Sequence, residues 1–209
     1  MAEDIVKEIR KQRDSYLVSL ISGFSFRVAA ALLREHPLKI GKTLDLECYQ
    51  DALQRDAYPF AMERAVKFLS QRDYSRHLLE EKLLQSGYDE LTVSKVTDFL
   101  VQRHFLDDKR YAEALLRRRQ GKSGLGKIAM ELRRKGVDQE IAIETLELLS
   151  QEDELAAAKT QAVKYLASKD LEPREAYRRT IAFLARRGYR YELAKEAYLL
   201  ATGATEDWE

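Results

Sequence analysis

The sequence predicts a mainly α-helical protein in which three tandem three-helix repeats form an elongated, curved array, preceded by a small N-terminal β-hairpin and helix region. Three observations predict this class. The 209 residues are rich in Ala, Leu, Glu, Lys and Arg, which favour helices because most of these side chains lose little rotamer freedom there. Only nine Gly and three Pro leave little material for turns. One sequence pattern also recurs three times along the chain, which is typical of repeat architectures.

The N-terminal region, residues 1–58, is expected to contain a β-hairpin and a short helix. Two apolar segments, 16–21 and 24–28, flank a Ser22-Gly23 turn, and the second segment alternates apolar and polar residues with the period of a half-buried strand. A short helix containing Leu32 and Leu33 should follow and end before Pro37. Residues 1–13 are charged throughout and do not have the pattern of a signal peptide.

The three repeats align on Gly87, Gly136 and Gly188, which are 49 and 52 positions apart (136 − 87 and 188 − 136). Each glycine follows a helical segment and is expected to end it in the left-handed conformation, which glycine adopts without steric cost. A leucine stands four positions before every glycine, and an apolar residue stands one position after it. The pattern therefore predicts helix, helix, glycine turn and helix in each copy.

We place the repeats at residues 59–106, 107–150 and 151–202, followed by an acidic tail at 203–209. Ser75, Asp107 or Asp108, and the Glu172-Pro173 pair are predicted to start helices because they match the preferences of helix N-termini. The paired aspartates are thus interpreted as a helix start rather than as catalytic carboxylates. Since three short helices bury little apolar surface alone, stacked copies are expected to share one continuous core.

The Gly121-Lys122-Ser123 segment resembles the end of a phosphate-binding P-loop, but the rest of that motif is absent. The full pattern needs a glycine where Leu116 stands, and basic residues rather than an apolar strand precede the segment. The sequence instead favours a flexible connector between two helices.

Other candidate sites lack the spacing that their chemistry needs. His36, His77 and His104 are far apart and Cys48 is the single cysteine, so no zinc-ligand pattern is present. We therefore expect no catalytic residue, no metal and no cofactor. A lone cysteine fits a reducing compartment, and no apolar stretch approaches the length of a membrane span. The sequence thus favours a cytoplasmic monomer that does not contact a membrane.

The charges are distributed unevenly along the second half of the chain. From Lys109 to Lys135, ten basic residues face two acidic ones, a balance of +8. Residues 137–158 contain seven acids and no base, and residues 159–195 return to +6, with ten bases against four acids. One explanation of this pattern is that helices need solvated faces and that charges alternate for solubility. Two basic blocks around an acidic one are also typical of a surface that lies along a polyanion, or along a protein filament carrying one.

The candidate binding residues are ten of the cations in these blocks, which would face DNA phosphate or an acidic protein surface. They are Arg117, Arg118, Arg119, Lys122, Lys127, Arg133, Arg134 and Lys135 in the second repeat, with Arg186 and Arg187 in the third. Tyrosines at positions 165, 177, 189, 191 and 198 are interleaved with the bases. They could stack on nucleobases, although helical spacing favours packing roles.

With these features together, the chain resembles the RecX family of regulators of the RecA recombinase. The most specific segment is Gly126–Gly136, which is close to the family's glycine to Glu-Leu-x-x-Lys-Gly signature. One departure is Leu78, which stands where the family often has the glutamate of a capping box that starts at Ser75. The other matching segments are Arg72–Ser75, Leu106–Ala112 and Arg186–Tyr189, and the N-terminal hairpin with residues 38–42 looks like the extended N-terminus of some members.

The resemblance implies a non-enzymatic inhibitor that binds the RecA filament on single-stranded DNA, in its groove or at its end, and modulates recombination and SOS repair. Two alternatives stay open. One is a repeat protein of another pathway that binds nucleic acid directly, and the other is a scaffold that contacts proteins alone.

Overall fold

A computed structural model describes residues 3–167 and 169–204 of the chain. The described part is mainly helical, and it divides into two compact units, Met1–Asp107 and Asp108–Glu209. No helix in it is long and apolar enough to cross a membrane. The strands are β1 Glu3–Gln12, β2 Ser15–Leu20, β3 Ser25–Ala29 and β4 Thr43–Asp45. The helices are α1 Ala30–Glu35, α2 Leu46–Leu69, α3 Arg76–Gln85, α4 Glu90–Gln102, α5 Asp108–Arg119, α6 Leu125–Arg134, α7 Gln139–Glu147, α8 Gln151–Leu166, α9 Pro173–Arg186 and α10 Tyr191–Thr202.

The N-terminal strands form one antiparallel sheet with the order β3-β2-β1-β4. The predicted hairpin is confirmed: β2 pairs with β3, and Gly23 in the turn has a φ of 95°. The sequence did not predict β1 or β4. Strand β1 carries charged residues on both sides of its buried Val6, and a register shift between Val6 and Glu8 interrupts its alternation. Its position inside the sheet is therefore set by pairing with β2 and β4 rather than by its own pattern.

Helix α2 runs without a break through Pro59, so the boundary predicted between residues 58 and 59 falls inside a helix. Proline in a helix interior removes a hydrogen bond and is unfavourable. However, Ala57, Ala61 and Ala65 are fully buried at four-residue intervals on both sides of it, and they belong to the same core as the sheet. Tertiary packing of this stripe thus outweighs the local cost of the proline.

The predicted helix starts are confirmed where the structure describes them. The hydroxyl of Ser75 accepts a hydrogen bond from the amide of Leu78 over 3.3 Å, so this cap forms without the glutamate of a capping box. Helix α5 begins at Asp108, and Pro173 is the first residue of α9. Residues 205–209 of the predicted acidic tail lie outside the described part of the chain.

The second unit contains two three-helix repeats, α5–α7 and α8–α10. The three aligned glycines have the predicted left-handed backbone, with φ of 91° at Gly87, 69° at Gly136 and 88° at Gly188. The expectation of one continuous core is wrong for this unit. Its buried side chains form two separate clusters, one around Leu115 and Leu132 and the other around small residues of α8 and α10. Each of these repeats has its own core, and other contacts must join them.

Candidate nucleic-acid interface

The ten basic residues predicted from the sequence all lie in the second unit, close to helix ends. Cations near a helix C-terminus interact favourably with the helix dipole, so most of them also stabilise the helix that carries them. They are Arg117, Arg118 and Arg119 in the last turn of α5, Lys122 in the following loop, Lys127, Arg133, Arg134 and Lys135 on or directly after α6, and Arg186 and Arg187 at the end of α9.

The loop before α6 is joined to the turn after α9 by main-chain hydrogen bonds. The amide of Gly124 donates to the carbonyl of Arg187 over 2.9 Å, and the amide of Gly126 donates to the carbonyl of Gly188 over 3.1 Å. A Cβ atom at position 124 would lie 2.5 Å from the Gly188 oxygen. A side chain at this position would therefore prevent the two main-chain segments from coming this close. We call residues 121–126 and 187–189 the repeat junction.

Two buried side chains of α8 hold the same loop. The carboxylate of Glu154, which is 2% exposed, accepts from the amide of Leu125 over 2.8 Å. The side-chain amide of Gln161 donates to the carbonyl of Gly121 over 2.7 Å. The expectation of a flexible connector is therefore wrong, because both ends of this loop are bonded to the third repeat. The element before the loop is helix α5, whereas a P-loop follows a strand.

The repeat junction brings the basic segments of the two repeats together. The guanidinium of Arg187 donates through Nη1 to the carbonyl of Lys122 over 2.9 Å, although the two residues are 65 positions apart. A Cβ atom at Gly188 would meet the main chain of Lys127. Two basic blocks that are separate in the sequence thus meet at one place in the fold.

Helix α6 presents a basic face with an apolar centre. Ile128 and Leu132 are buried on one side of the helix. Lys127, Met130 and Arg133 are exposed at intervals of three residues on the other, with Met130 73% exposed. Met130 was not predicted from the sequence, because a methionine at helical spacing is ordinarily a core residue. The signal that would have identified it is its place between two cations on the face opposite to Leu132.

Arg119 is already engaged in an ion pair. Its Nε and Nη2 donate to the two carboxylate oxygens of Glu131 over 2.8 and 2.9 Å, and the Glu131 side chain is 12% exposed. Hydrogen bonding by Arg119, with further attraction from Arg118 and Arg134, lowers the pKa of Glu131. Arg119 therefore links α5 to α6, and its role as a DNA ligand stays a prediction.

Two other predicted cations also have protein contacts. Arg187, besides its bond at the repeat junction, lies with its guanidinium carbon 4.6 Å from the centre of the Phe183 ring. Arg117 is 3.6 Å from a carboxylate oxygen of Glu113. Lys135 is half-buried, whereas the six remaining cations are exposed and form no salt bridge within residues 3–167 and 169–204. These cations, which we call the junction cations, are Arg118, Lys122, Lys127, Arg133, Arg134 and Arg186.

The tyrosines mostly pack, as helical spacing favoured. Tyr165 stacks on Phe183 with ring centres 4.3 Å apart, and Tyr198 meets Tyr177 edge to face at 5.2 Å. Tyr189 is 3% exposed, and burial raises its pKa to about 12. These rings are thus engaged in packing within the third repeat, which is the role that their helical spacing favoured.

Helix α7 has the opposite charge from α6. Its exposed residues include Glu140, Glu144 and Glu147, with the apolar Ile143 49% exposed among them. Glu144 forms an ion pair with Lys109 of α5, with 3.0 Å between the ammonium nitrogen and a carboxylate oxygen. We call these residues the α7 acidic face. The second repeat thus carries a basic and an acidic surface on adjacent helices.

The residues considered for metal or catalytic chemistry do not converge. His36 Nε2 lies 2.9 Å from Asp56, and His77 Nε2 lies 3.6 Å from Glu81. Within the described ranges, no three His, Cys, Asp or Glu side chains are close enough to hold a metal ion.

Comparison with known families gives three matches in chain order. Family models described as the first, second and third three-helix domains of RecX match residues 61–100, 107–146 and 152–198. The Regulatory protein RecX of Clostridium acetobutylicum is 30% identical over 95% of this chain and 98% of its own length. The Regulatory protein RecX of Clostridium botulinum strain Eklund 17B is 28% identical and covers 94% of each chain.

Solved structures share the fold. A crystal structure of regulatory protein RecX superimposes with a TM-score of 0.65 at 21% identity, covering 96% of this chain and 100% of the other. A crystal structure of RecX from Lactobacillus salivarius gives a TM-score of 0.65 at 23% identity over 72% of this chain and 99% of the other.

Proposed function

The chain belongs to the RecX family of regulatory proteins, and from this premise we propose that it is a non-enzymatic inhibitor of the RecA recombinase. It binds the RecA filament on single-stranded DNA, in the groove or at the end, and so modulates recombination and SOS repair. The protein acts in the cytoplasm, as a monomer, without a cofactor. The proposed function is the one that the sequence resemblance implies. The exposed cations of the second unit support it.

One observation carries the proposal, namely the grouping of the junction cations. Six exposed basic side chains without a salt bridge among the described residues lie on or beside α6 and the repeat junction. Such a surface attracts a polyanion, because each phosphate contact releases counterions. Met130, which is 73% exposed between Lys127 and Arg133, adds apolar surface, and a methionine side chain adapts well to protein surfaces. A filament of protein on DNA offers both kinds of contact.

The position of this surface is fixed rather than adaptable. The hydrogen bonds of Glu154 and Gln161 to the loop and the backbone bonds of Gly124 and Gly126 set the start of α6. A surface held in this way loses little conformational entropy on binding, which favours affinity. The third repeat thus supports the basic face of the second repeat.

The test is a titration of the chain into DNA-dependent ATP hydrolysis by RecA on single-stranded DNA. We expect inhibition at amounts well below one chain per RecA subunit. Unchanged hydrolysis at an equimolar amount would contradict the proposal. A triple variant, Lys159→Glu with Lys164→Glu and Arg178→Glu, is the matched control, because these exposed cations lie outside the junction cations and the variant should inhibit as the parent does.

Direct binding of nucleic acid is a second candidate, favoured by the same unpaired cations. In that case the affinity for bare DNA would fall steeply with salt, with a slope of log K of about 0.7 to 0.9 per phosphate contact, and RecA would not be needed. A scaffold that contacts proteins alone would show neither the salt slope nor inhibition of RecA.

A further inference from the structure

The first unit contains a cavity of about 460 Å³ that none of the basic residues above lines. It lies between the β1–β2 turn, helix α1, helix α2 and the segment that follows α3. Its volume is within the range of small-ligand pockets, roughly 300 to 1,000 Å³, and exceeds what one water or one ion needs.

The walls of the cavity carry an excess of positive charge. Five basic residues line it against two acidic ones, and Asp14 is already ion-paired with Arg64. Among the described residues, the other four cations form no salt bridge. The basic residues are Lys11, Arg13, Arg34, Arg64 and Lys67, and the acidic ones are Asp14 and Glu63.

Hydrogen bonds and ring contacts fix the frame of the cavity. The hydroxyl of Ser15 donates to the carbonyl of Gln85 over 3.4 Å, which ties the β1–β2 turn to the end of α3. The amide of Ala30 donates to the carbonyl of Asp14 over 3.1 Å. The guanidinium of Arg64 lies 4.4 Å from the centre of the Phe68 ring, and its buried Nε has no hydrogen-bond partner in the described part of the chain.

Aromatic side chains form the rest of the wall. Tyr16 and Phe60 are half-buried, and Tyr88 is 6% exposed. Like charges gathered in a concave site repel each other. They would keep the protein equally soluble on a convex surface, so solubility does not explain why they are grouped here. Guanidinium groups match phosphate oxygens in geometry. The cavity therefore combines donors for phosphate with apolar surface for an attached sugar or base.

We infer that this cavity binds adjacent phosphate groups, of the kind found in a single-stranded nucleic-acid backbone or in a nucleoside polyphosphate. The inference goes beyond the proposed function, since it concerns the first unit and requires no recombinase. Lys11, Arg34 and Lys67 supply the positive charge at the rim.

The test measures how far individual lysines of the 209-residue chain are protected from acetylation at low salt, as read by mass spectrometry. The probes are a thymidine oligonucleotide and dTTP, which share a base and differ in the source of phosphate. We expect at least one probe to slow acetylation of Lys11 and Lys67, while the exposed Lys39 and Lys95 of the same unit react unchanged. Protection by the oligonucleotide alone identifies the strand as the ligand, and protection by dTTP alone identifies the nucleotide.

A pair of charge-reversal variants makes the test specific. Arg34→Glu with Lys67→Glu should raise the probe concentration that half-protects Lys11 by about tenfold or more, because two favourable charge contacts become repulsive. Lys39→Glu with Lys95→Glu has the same net charge and should leave that concentration unchanged. All four positions are exposed, so folding should be preserved, which circular dichroism checks.

The inference is overturned if neither probe slows acetylation of Lys11, or if the two double variants shift its protection equally. Because no RecA is present, such a failure says nothing about the proposed inhibition. Conversely, a chain that does not inhibit RecA can still protect Lys11.

Discussion

Helices α6 and α7 are neighbours in one repeat and have nearly the same length, ten and nine residues, yet they differ in charge and in support. The exposed side of α6 is basic around Met130, whereas that of α7 is acidic around Ile143. The start of α6 is bonded to the third repeat through the repeat junction. The start of α7 is capped by its own Asp138, which accepts from the amide of Glu140 over 2.8 Å.

This difference shows that the third repeat positions the basic face of the second repeat. Helix α6 cannot be moved without breaking bonds of Gly124 and Leu125 to α8 and to the α9 turn. Helix α7 depends on local capping and on the core around Leu132. The surface that we propose to meet the polyanion is therefore the one that two repeats hold in place.

The largest expected effect is that of closing the space at the repeat junction. In Gly188→Ala, the new Cβ would meet the main chain of Lys127, and the backbone has a φ of 88°. We expect a loss of about 3 kcal/mol or more in the free energy of unfolding, since backbone strain and overlap add. Amide exchange should accelerate in α6 more than in α7.

The control for that variant is Gly203→Ala, where φ is 70° but no atom of the described residues lies within 4 Å of the new Cβ. This variant introduces the backbone strain without the overlap, so it should lower the free energy of unfolding by about 1 kcal/mol. Equal losses in the two variants, measured by denaturant unfolding, would show that the close approach at the repeat junction does not matter.

A smaller effect is expected from the buried carboxylate of α8. Glu154→Ala leaves the amide of Leu125 without its 2.8 Å partner, which should cost about 1 to 3 kcal/mol because a buried donor becomes unsatisfied. Glu154→Gln retains an accepting oxygen and should cost less. The exposed Glu152→Ala serves as a control that should change stability by less than about 0.5 kcal/mol. If Glu154→Ala matches that control, α8 does not support α6.

The smallest effect concerns pH and the link between α5 and α6. Arg119 lowers the pKa of Glu131 below its ordinary value of 4.5, so the pair stabilises the fold above that value. This contribution is lost as pH falls through the lowered pKa. It should be below about 1 kcal/mol, because the Arg119 side chain is 42% exposed.

Comparing the parent with Arg119→Ala checks this sign. The difference in the free energy of unfolding should be present at about pH 6 and shrink as the pH falls towards about 2 and Glu131 takes up its proton. A difference that is the same at both pH values would mean that the ion pair does not supply the stability.

The features that the sequence predicted depend on local chemistry. The glycines at 87, 136 and 188 end helices with positive φ, because no other residue takes that conformation as easily. Ser75 and Pro173 mark helix starts for similarly local reasons. The missed strand β1 has no such signal, because its two faces are charged and its partners on β2 and β4 determine its structure.

The arrangement of the candidate site could be predicted less well. The sequence identified the cations but not which of them are engaged, since the bond between Arg187 and Lys122 spans 65 positions. Likewise, Arg119 and Glu131 are 12 residues apart on different helices, and their pairing depends on the angle between those helices. Such contacts follow from packing, which one sequence does not specify.

The central claim is that the basic face of α6, and not the α7 acidic face, engages the RecA–DNA filament. The most direct measurement is the titration into RecA ATP hydrolysis with two triple variants, Lys127→Glu with Arg133→Glu and Arg134→Glu, and Glu140→Lys with Glu144→Lys and Glu147→Lys. The α6 variant should need about tenfold more protein or more for half-inhibition, because three attractive contacts become repulsive, while the α7 variant should inhibit at least as well as the parent. Parent-like inhibition by the α6 variant, or loss of inhibition by the α7 variant, would contradict the account.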